Sequence, residues 1–370
     1  MASTARAIVY EGPQTFALRD FPLPELSPGD LLVEVLLCGI DGSELHMYRG
    51  EMEWLNQLAP VIFGDEILGR VVAIGDDARV TRQLEIGDRV VVESRWPCDG
   101  CRACDRGQYY LCETRGGLTV GYGTVSSAEP PHLWGGYSTH TFVPASALVY
   151  KVPVELSDAA ALIACSPLAN GIRWVEASGA AAADHVTVIG PGTQGLSCAL
   201  AAIRVGAHVS VIGLESDEER LAMAATLGAR VFGIAPGETI EQTAARIEKD
   251  GGPVDAVIEA AGVSSARQLA ARLVRPMGTW VNVSVATPQS QPIDWMAMMM
   301  KEITIVNPIS HPHTVGKAFD LALELLRDGI DLGAWITHVY PLERAATAIE
   351  AASYQLEVRP VKVALAPCRP

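Results

Sequence analysis

Apolar and polar positions divide the chain into three stretches. Through about residue 150, short apolar runs such as Leu31–Leu36, Gly69–Ile74 and Asp88–Glu93 are separated by turn clusters. Those clusters are Ser27-Pro28-Gly29-Asp30, Gly75-Asp76-Asp77 and Ile86-Gly87-Asp88. Strands of this length with regular Gly and Pro punctuation predict a partly open, barrel-like β domain. Near Ser157 the period changes. To about Pro308, the apolar strands His185–Ile189, His208–Ile212, Ala256–Glu259, Thr279–Val285 and Ile303–Val306 alternate with helical patterns at Glu218–Leu227, Thr239–Lys249 and Ser265–Leu273. That is the βαβ rhythm of a parallel sheet, so the fold class is α/β. A helix over Val315–Leu326, another over Leu342–Ala352 and a closing strand Val361–Leu365 complete the chain, which has no internal repeat.

Within the second stretch, Val186-Thr187-Val188-Ile189 runs into Gly190-Pro191-Gly192-Thr193-Gln194-Gly195 and then into good helix material, Leu196–Ala202. A strand, a G-x-G-x-x-G turn and a helix can hold a dinucleotide for a physical reason. The first glycine allows the turn, the second lets backbone approach a pyrophosphate, and the third lets the helix pack on the strand. The helix N-terminus then presents its free N–H groups and positive dipole end to the phosphates. Gly190, Gly192, Thr193, Gln194 and Gly195 are therefore the candidate cofactor residues. An ordinary glycine turn between core elements is the alternative wherever the motif stands alone.

The 370 residues are 49% hydrophobic and 19% charged, enough for a large core and unlike a disordered chain. A net charge of −15 excludes a basic nucleic-acid footprint, which needs Lys and Arg against phosphates. The opening ten residues carry one basic side chain and no long apolar region before Glu11 and Pro13, so a cytoplasmic protein is expected. The longest uncharged apolar stretch, Ala159–Ala169, is too short to span a membrane and contains Pro167.

Four of the eight cysteines, Cys98, Cys101, Cys104 and Cys112, form C-x2-C-x2-C-x7-C. Four thiolates at this spacing can close a tetrahedral zinc site without an open position, which makes it structural. Small and polar residues between them suit a loop wrapped round an ion. Free or disulfide-linked thiols are the alternative, disfavoured by the spacing and the expected compartment.

The chain resembles the zinc-containing medium-chain dehydrogenase/reductase superfamily, the alcohol and polyol dehydrogenases. The resemblance covers essentially its whole length. The markers follow the family's order: Asp41-Gly42-Ser43-Glu44-Leu45-His46, Gly64-Asp65-Glu66, Gly87-Asp88-Arg89-Val90, the four-cysteine lobe, then the glycine turn. The resemblance implies a GroES-like β-rich catalytic domain from residues 1–158 and 308–370. A Rossmann doubly wound dinucleotide-binding domain, 159–307, lies between them. It implies homodimers or homotetramers, a small alcohol or carbonyl substrate, and no nucleic acid or membrane partner.

Two departures fall where the family binds its catalytic zinc. Asp41 stands in place of the ligand Cys of Cys-Gly-(Ser/Thr)-Asp-x-His, and Asp65 in place of the ligand His of Gly-His-Glu. The nearby Cys38 ends an apolar strand and reads as buried and inert. Cys165 matches the family's third ligand position without gaps. A set of Asp41, Asp65 and Cys165, with Glu66 close by, is harder and more acidic than the family's. It reads equally as a metal site, because clustered carboxylates favour a cation, or as a site that has abandoned zinc. Ser43 and His46 occupy the family's proton-relay positions, in which a hydroxyl takes the substrate proton and passes it through the cofactor ribose to a histidine.

A carboxylate about twenty residues beyond the glycine turn normally binds the ribose hydroxyls and rejects a 2′-phosphate. Counting back from Leu227-Gly228-Ala229 places Glu215 there, whereas counting forward from Gly206 places Gly213 or Leu214. No Arg stands at that strand end, and Arg220 lies further on in a helix, so NAD is favoured over NADP. The reading is an NAD(P)-dependent oxidoreductase interconverting an alcohol and its carbonyl, with catalytic Ser43, His46, Asp41 and Glu66 and an altered metal site. Its rivals are a metal-free reductase of polarised C=C bonds and a catalytically silent cofactor-binding relative. Trp54, Trp96 and Trp134 could line a bulky apolar pocket or simply pack. The His311-Pro312-His313 loop reads as structural, and Trp295–Met300 as a subunit contact, a pocket wall or core.

Overall fold

The structure is a computed structural model that describes residues 4–115, 121–285, 292–356 and 359–368. The chain forms two compact units, Met1–Ser166 with Val315–Pro370, and Pro167–Thr314. The changes of unit thus fall at 166/167 and 314/315, a few residues beyond the expected 158/159 and 307/308. The reason is packing: the helix Asp158–Ile163 lies against the β strands of the first unit.

The first unit begins with β1 (Thr4–Gly12), β2 (Thr15–Pro22), β3 (Leu31–Ile40), β4 (Val61–Ile62), β5 (Glu66–Ile74), β6 (Arg89–Val92), β7 (His140–Val143) and β8 (Val149–Lys151). The second holds β9 (His185–Ile189), β10 (His208–Leu214), β11 (Arg230–Ile234), β12 (Val254–Glu259), β13 (Val274–Asn282) and β14 (Thr304–Val306). Returning to the first unit, the chain adds β15 (Ile336–Tyr340) and β16 (Lys362–Leu365).

In the first unit, β2-β1-β4 form a small antiparallel sheet. A seven-stranded sheet runs β15-β16-β3-β5-β6-β8, with β7 also on β3. Its register positions the site. Gly39 pairs with Glu66 across β3 and β5, and Ile40 with Val363 across β3 and β16. Asp41, Asp65-Glu66 and Lys362 therefore arrive at one end of three adjacent strands. A Cβ on Gly39 would stand 1.9 Å from Glu66 Oε2, so only glycine admits the carboxylate there. Alternating apolar residues of these strands build the core, with Tyr10 stacked on Phe63 at 4.9 Å. The strand β2 is mostly exposed and carries no apolar run. It is a strand because its backbone pairs with β1 from Thr4–Pro22 to Gly12–Thr15.

In the second unit, all six strands are parallel, in the order β11-β10-β9-β12-β13-β14. This is the doubly wound order, with its switch point between β9 and β12. The central strand β9 is buried throughout, as a strand covered on both faces must be. β13 begins five residues before the expected Thr279. Arg275-Pro276-Met277-Gly278 reads as a turn, yet Val274 already pairs with Val254. The register shift between Val254 and Ala256 absorbs the extra residues opposite Asp255.

Candidate active site and cofactor turn

In the cysteine lobe, one ligand atom from each of Cys98, Cys101, Cys104 and Cys112 lies within 4.8 Å of all the others. Cys98 and Cys104 sulfurs are 3.9 Å apart. A tetrahedral zinc with Zn–S of about 2.3 Å would set its sulfurs about 3.8 Å apart, so the four thiols fit the ion as they stand. Donors already point at them. The Thr114 hydroxyl lowers the Cys98 thiol, and the backbone amides of Cys104 and Glu113 lower that of Cys101. Cys98→Ser is expected to remove about one zinc per chain and to lower the thermal midpoint, read by elemental analysis and melting; unchanged zinc would refute the assignment.

The strand β3 ends at Asp41, which turns extended and caps the helix Gly42–Tyr48. Asp41 Oδ1 accepts the Glu44 amide at 3.0 Å, and Glu44 Oε2 accepts the Asp41 amide at 3.0 Å, a reciprocal capping box. The same Oδ1 accepts the Ser43 hydroxyl at 2.7 Å. His46, three residues on and so on the same helix face, pairs through Nδ1 with Glu51 Oε2 at 2.6 Å in a half-exposed position.

Asp65 and Glu66 sit just below. Glu66 is buried, accepts the Ser166 hydroxyl at 3.1 Å and forms an ion pair of 2.5 Å with Lys362 Nζ, itself buried. Glu44 is also buried and accepts the Tyr137 hydroxyl at 3.2 Å. Burial, reinforced by neighbouring negative charge, pushes all three inner carboxyls up: Glu44, Glu66, and Asp65 to about 8. Lys362 and Arg95 work against this at Asp65. Neither Glu44 nor Lys362 emerged from the sequence reading. Both left a signal: Asp41-Gly42-Ser43-Glu44 has capping-box spacing, and Lys362 is a lone charge inside an apolar strand.

Cys165 lies in a distorted turn, Ala164–Leu168, where Pro167 breaks the helix and Cys165 takes a non-helical conformation. It is buried, and burial together with Glu93, Glu66 and Asp65 pushes its thiol well up. Among the described residues, the four-cysteine lobe is the one group of three or more His, Cys, Asp or Glu with ligand atoms within 4.8 Å of one another. Asp41, Asp65 and Cys165 are electrostatic neighbours but do not form a closed ligand set. They do not fit a bound catalytic zinc as they stand. Cys38 is fully buried beneath Gly64 and Gly136, and burial pushes its thiol up. Trp96 is buried and stacks on Trp134 at 6.0 Å, so packing accounts for it.

In the second unit, β9 enters the glycine turn. A Cβ on Gly195 would stand 1.8 Å from Gly190 O, and one on Gly190 3.1 Å from Ala260 and Ala261 backbone at the end of β12. No side chain caps the helix Thr193–Arg204, whose N-cap is Gly192. Gln194 accepts from Asn170 at 3.3 Å, and His311 Nδ1 lies 3.3 Å from Asn170 Oδ1, a structural use of that histidine. The turn thus fits a dinucleotide: an open N-terminus, and glycines where side chains would block it. Glu215 is exposed and packs its stem over Gly233 of β11.

Residues 27–154 match the alcohol dehydrogenase GroES-like domain and residues 195–329 the zinc-binding dehydrogenase domain. The chain is 34% identical over 337 residues to a protein of Mycobacterium tuberculosis named "Probable alcohol dehydrogenase", covering 88% of each. The crystal structure of an alcohol dehydrogenase from Thermotoga maritima superposes with a TM-score of 0.85 at 27% identity, covering 99% of this chain and 100% of that one. A zinc-binding dehydrogenase from Sinorhizobium meliloti bound to NADP superposes at 0.82, also with 27% identity, covering 99% and 100%. The chain belongs to the zinc-containing medium-chain dehydrogenase/reductase superfamily, the alcohol and polyol dehydrogenases, and is an oxidoreductase of that class.

Proposed function

We propose that the protein interconverts an alcohol and its aldehyde or ketone, with Ser43 as the group that takes and returns the substrate's hydroxyl proton. The observation that carries this is the 2.7 Å hydrogen bond from Ser43 to Asp41 Oδ1. It aligns the hydroxyl and places a carboxylate behind it, at a helix start where the carboxylate is held by the capping box with Glu44. Gly190–Gly195 would hold a nicotinamide dinucleotide, which would supply or accept the hydride. His46, one turn along the same helix face and paired with Glu51, is the half-exposed exit for the proton.

The proton step needs no catalytic metal, and Asp41, Asp65 and Cys165 do not close a ligand set for one. That arrangement also suits the rival reading, a metal-free reductase of polarised C=C bonds. Substrate separates the two: an alcohol with NAD or NADP should turn over if the first holds, an α,β-unsaturated carbonyl with NADH or NADPH if the rival does. Both expect about one zinc per chain, in the cysteine lobe, and about two would instead mark a metal-dependent mechanism. Ser43→Ala tests the proton step. Alcohol oxidation is expected to fall by about 10²–10⁴-fold in kcat with cofactor affinity kept, and full activity would sink the assignment.

Homo-oligomerisation fits the exposed apolar residues Trp295, Met296, Met299 and Met300 of one short helix, next in the chain to the edge strand β14. Light scattering of the purified protein would show a monomer if that reading is wrong. Among the described residues, no helix is long and apolar enough to cross a membrane.

A further inference from the structure

We propose that Asp217, rather than Glu215, discriminates against a 2′-phosphate on the cofactor, and that it does so by holding Arg220. The inference rests on the dinucleotide turn at Gly190–Gly195 and deepens that reading.

The stem of Glu215 and the carboxylate of Asp217 lie on opposite sides of β10. Gly233 is on β11, and a Cβ there would meet Glu215 Cγ at 3.3 Å. Glu215 thus leans to β11, away from β9 and the glycine turn that β9 feeds. A Cβ on Gly213 would instead meet Pro191 Cγ at 2.7 Å and Asp217 Oδ2 at 3.2 Å. Pro191 is in the turn itself, so the Asp217 carboxylate sits over the end of β10 on the turn's side. It is fixed there from two directions. The Leu214 amide donates to Oδ2 at 3.0 Å, and Arg220 forms an ion pair with Oδ1 in which both side chains are largely buried.

Arg220 supplies the second part. Its position in the helix Glu218–Thr226 suggests a solvated side chain, yet Arg220 is buried. Its guanidinium reaches back to the turn: Nη1 is the one atom within 4 Å of a Cβ built on Gly192, at 3.8 Å. Gly192 is the glycine whose missing side chain lets a dinucleotide approach. A planar guanidinium beside that opening is well suited to a phosphate dianion. Asp217 cancels that charge and presents a carboxylate, which accepts a ribose hydroxyl and repels a 2′-phosphate. Removing the carboxylate should convert a site that rejects the phosphate into one that grips it.

The test measures dissociation constants of NADH and NADPH by cofactor fluorescence on the full-length protein. Wild type is expected to bind NADH more tightly. Asp217→Asn should raise NADPH affinity relative to NADH by about tenfold or more, whereas Glu215→Gln should leave the ratio within about twofold. Adding Arg220→Gln to Asp217→Asn should abolish the gain, which a merely structural Asp217 would not require. A second measurement needs no variant: wild type should bind ADP more tightly than 2′,5′-ADP. An unchanged ratio in Asp217→Asn, a larger shift in Glu215→Gln, or wild-type preference for the 2′-phosphorylated ligands overturns the inference. Wild type binding neither NADH nor NADPH would instead overturn the dinucleotide reading of the turn.

Discussion

Gly195→Ala is expected to weaken dinucleotide binding severely and to lower the thermal midpoint. The methyl carbon would stand 1.8 Å from Gly190 O, 3.0 Å from Gly190 C and 3.3 Å from Val188 Cγ1. The first two are backbone atoms and cannot rotate away, so the turn or the helix behind it must shift. Forced insertion of this kind costs about 1–3 kcal/mol. Because the shift moves the N–H groups that would face the phosphates, NADH affinity should fall by about a hundredfold or more. Gly192→Ala is the contrasting variant. Gly192 has φ −68°, which any residue adopts, and its Cβ would meet nothing nearer than Arg220 Nη1 at 3.8 Å. Its fold should survive unchanged while the methyl obstructs the cofactor's approach. Melting curves and NADH titrations on both variants decide the matter. Wild-type affinity in Gly195→Ala would remove the turn from the cofactor site.

Lys362→Met should cost about 3–5 kcal/mol of stability at neutral pH, because it strands the buried Glu66 carboxylate without its cation. The cost should shrink as pH falls, since Glu66 can then take a proton and bury itself neutral. Glu66 starts from a carboxyl already held above the ordinary range by burial, even against the opposing effect of Lys362. The same sign governs the wild type. Glu44, Asp65 and Glu66 all bind protons more tightly folded than unfolded, as does Glu93, which burial raises to about 7 against the Tyr109 and Tyr150 hydroxyls. Between the ordinary carboxylate range and these raised values, unfolding releases protons, so rising pH favours the unfolded chain. Glu93 alone would account for roughly 3 kcal/mol across that window. Stability should therefore decline from about pH 5 to pH 8, with the decline steeper in Lys362→Met. The double variant Lys362→Met, Glu66→Gln should recover most of the loss, because it removes both charges together. Urea melts at two pH values test this, and a small, pH-independent loss in Lys362→Met would refute it.

The glycine turn and the cysteine lobe could be read in the sequence because each is local. Six consecutive residues, from the end of one strand into the first turn of one helix, make the turn, and fifteen consecutive residues make the lobe. Local spacing is the geometry there, since few torsions separate the first group from the last. The βαβ alternation was legible for the same reason, as each element carries its own hydrophobic period. Weakly patterned strands such as β2 were not, because pairing with β1, rather than their own apolar run, makes them strands.

The chemistry beside the hydroxyl was only half legible. Ser43 and Asp41 are two residues apart, so their contact follows from one helix start. The tertiary structure alone decided that Glu66 would be neutralised by Lys362, 296 positions away, through the β5-β3-β16 register. It alone decided that Asp41, Asp65 and Cys165 would be neighbours without closing round an ion, because ligand closure depends on side-chain reach from three separate elements. It also decided which acid faces the cofactor turn. Counting back from Leu227-Gly228-Ala229 points to Glu215 and counting forward from Gly206 to Gly213 or Leu214, but direction at a strand end is set by how the chain leaves the sheet. The tight turn Glu215–Asp217 sends Glu215 toward β11 and Asp217 back over the turn. The sequence by itself determined the superfamily, the four-cysteine lobe and the glycine turn; the fold decided the charge balance and the orientation of the groups around them, since those depend on contacts between residues distant in the chain.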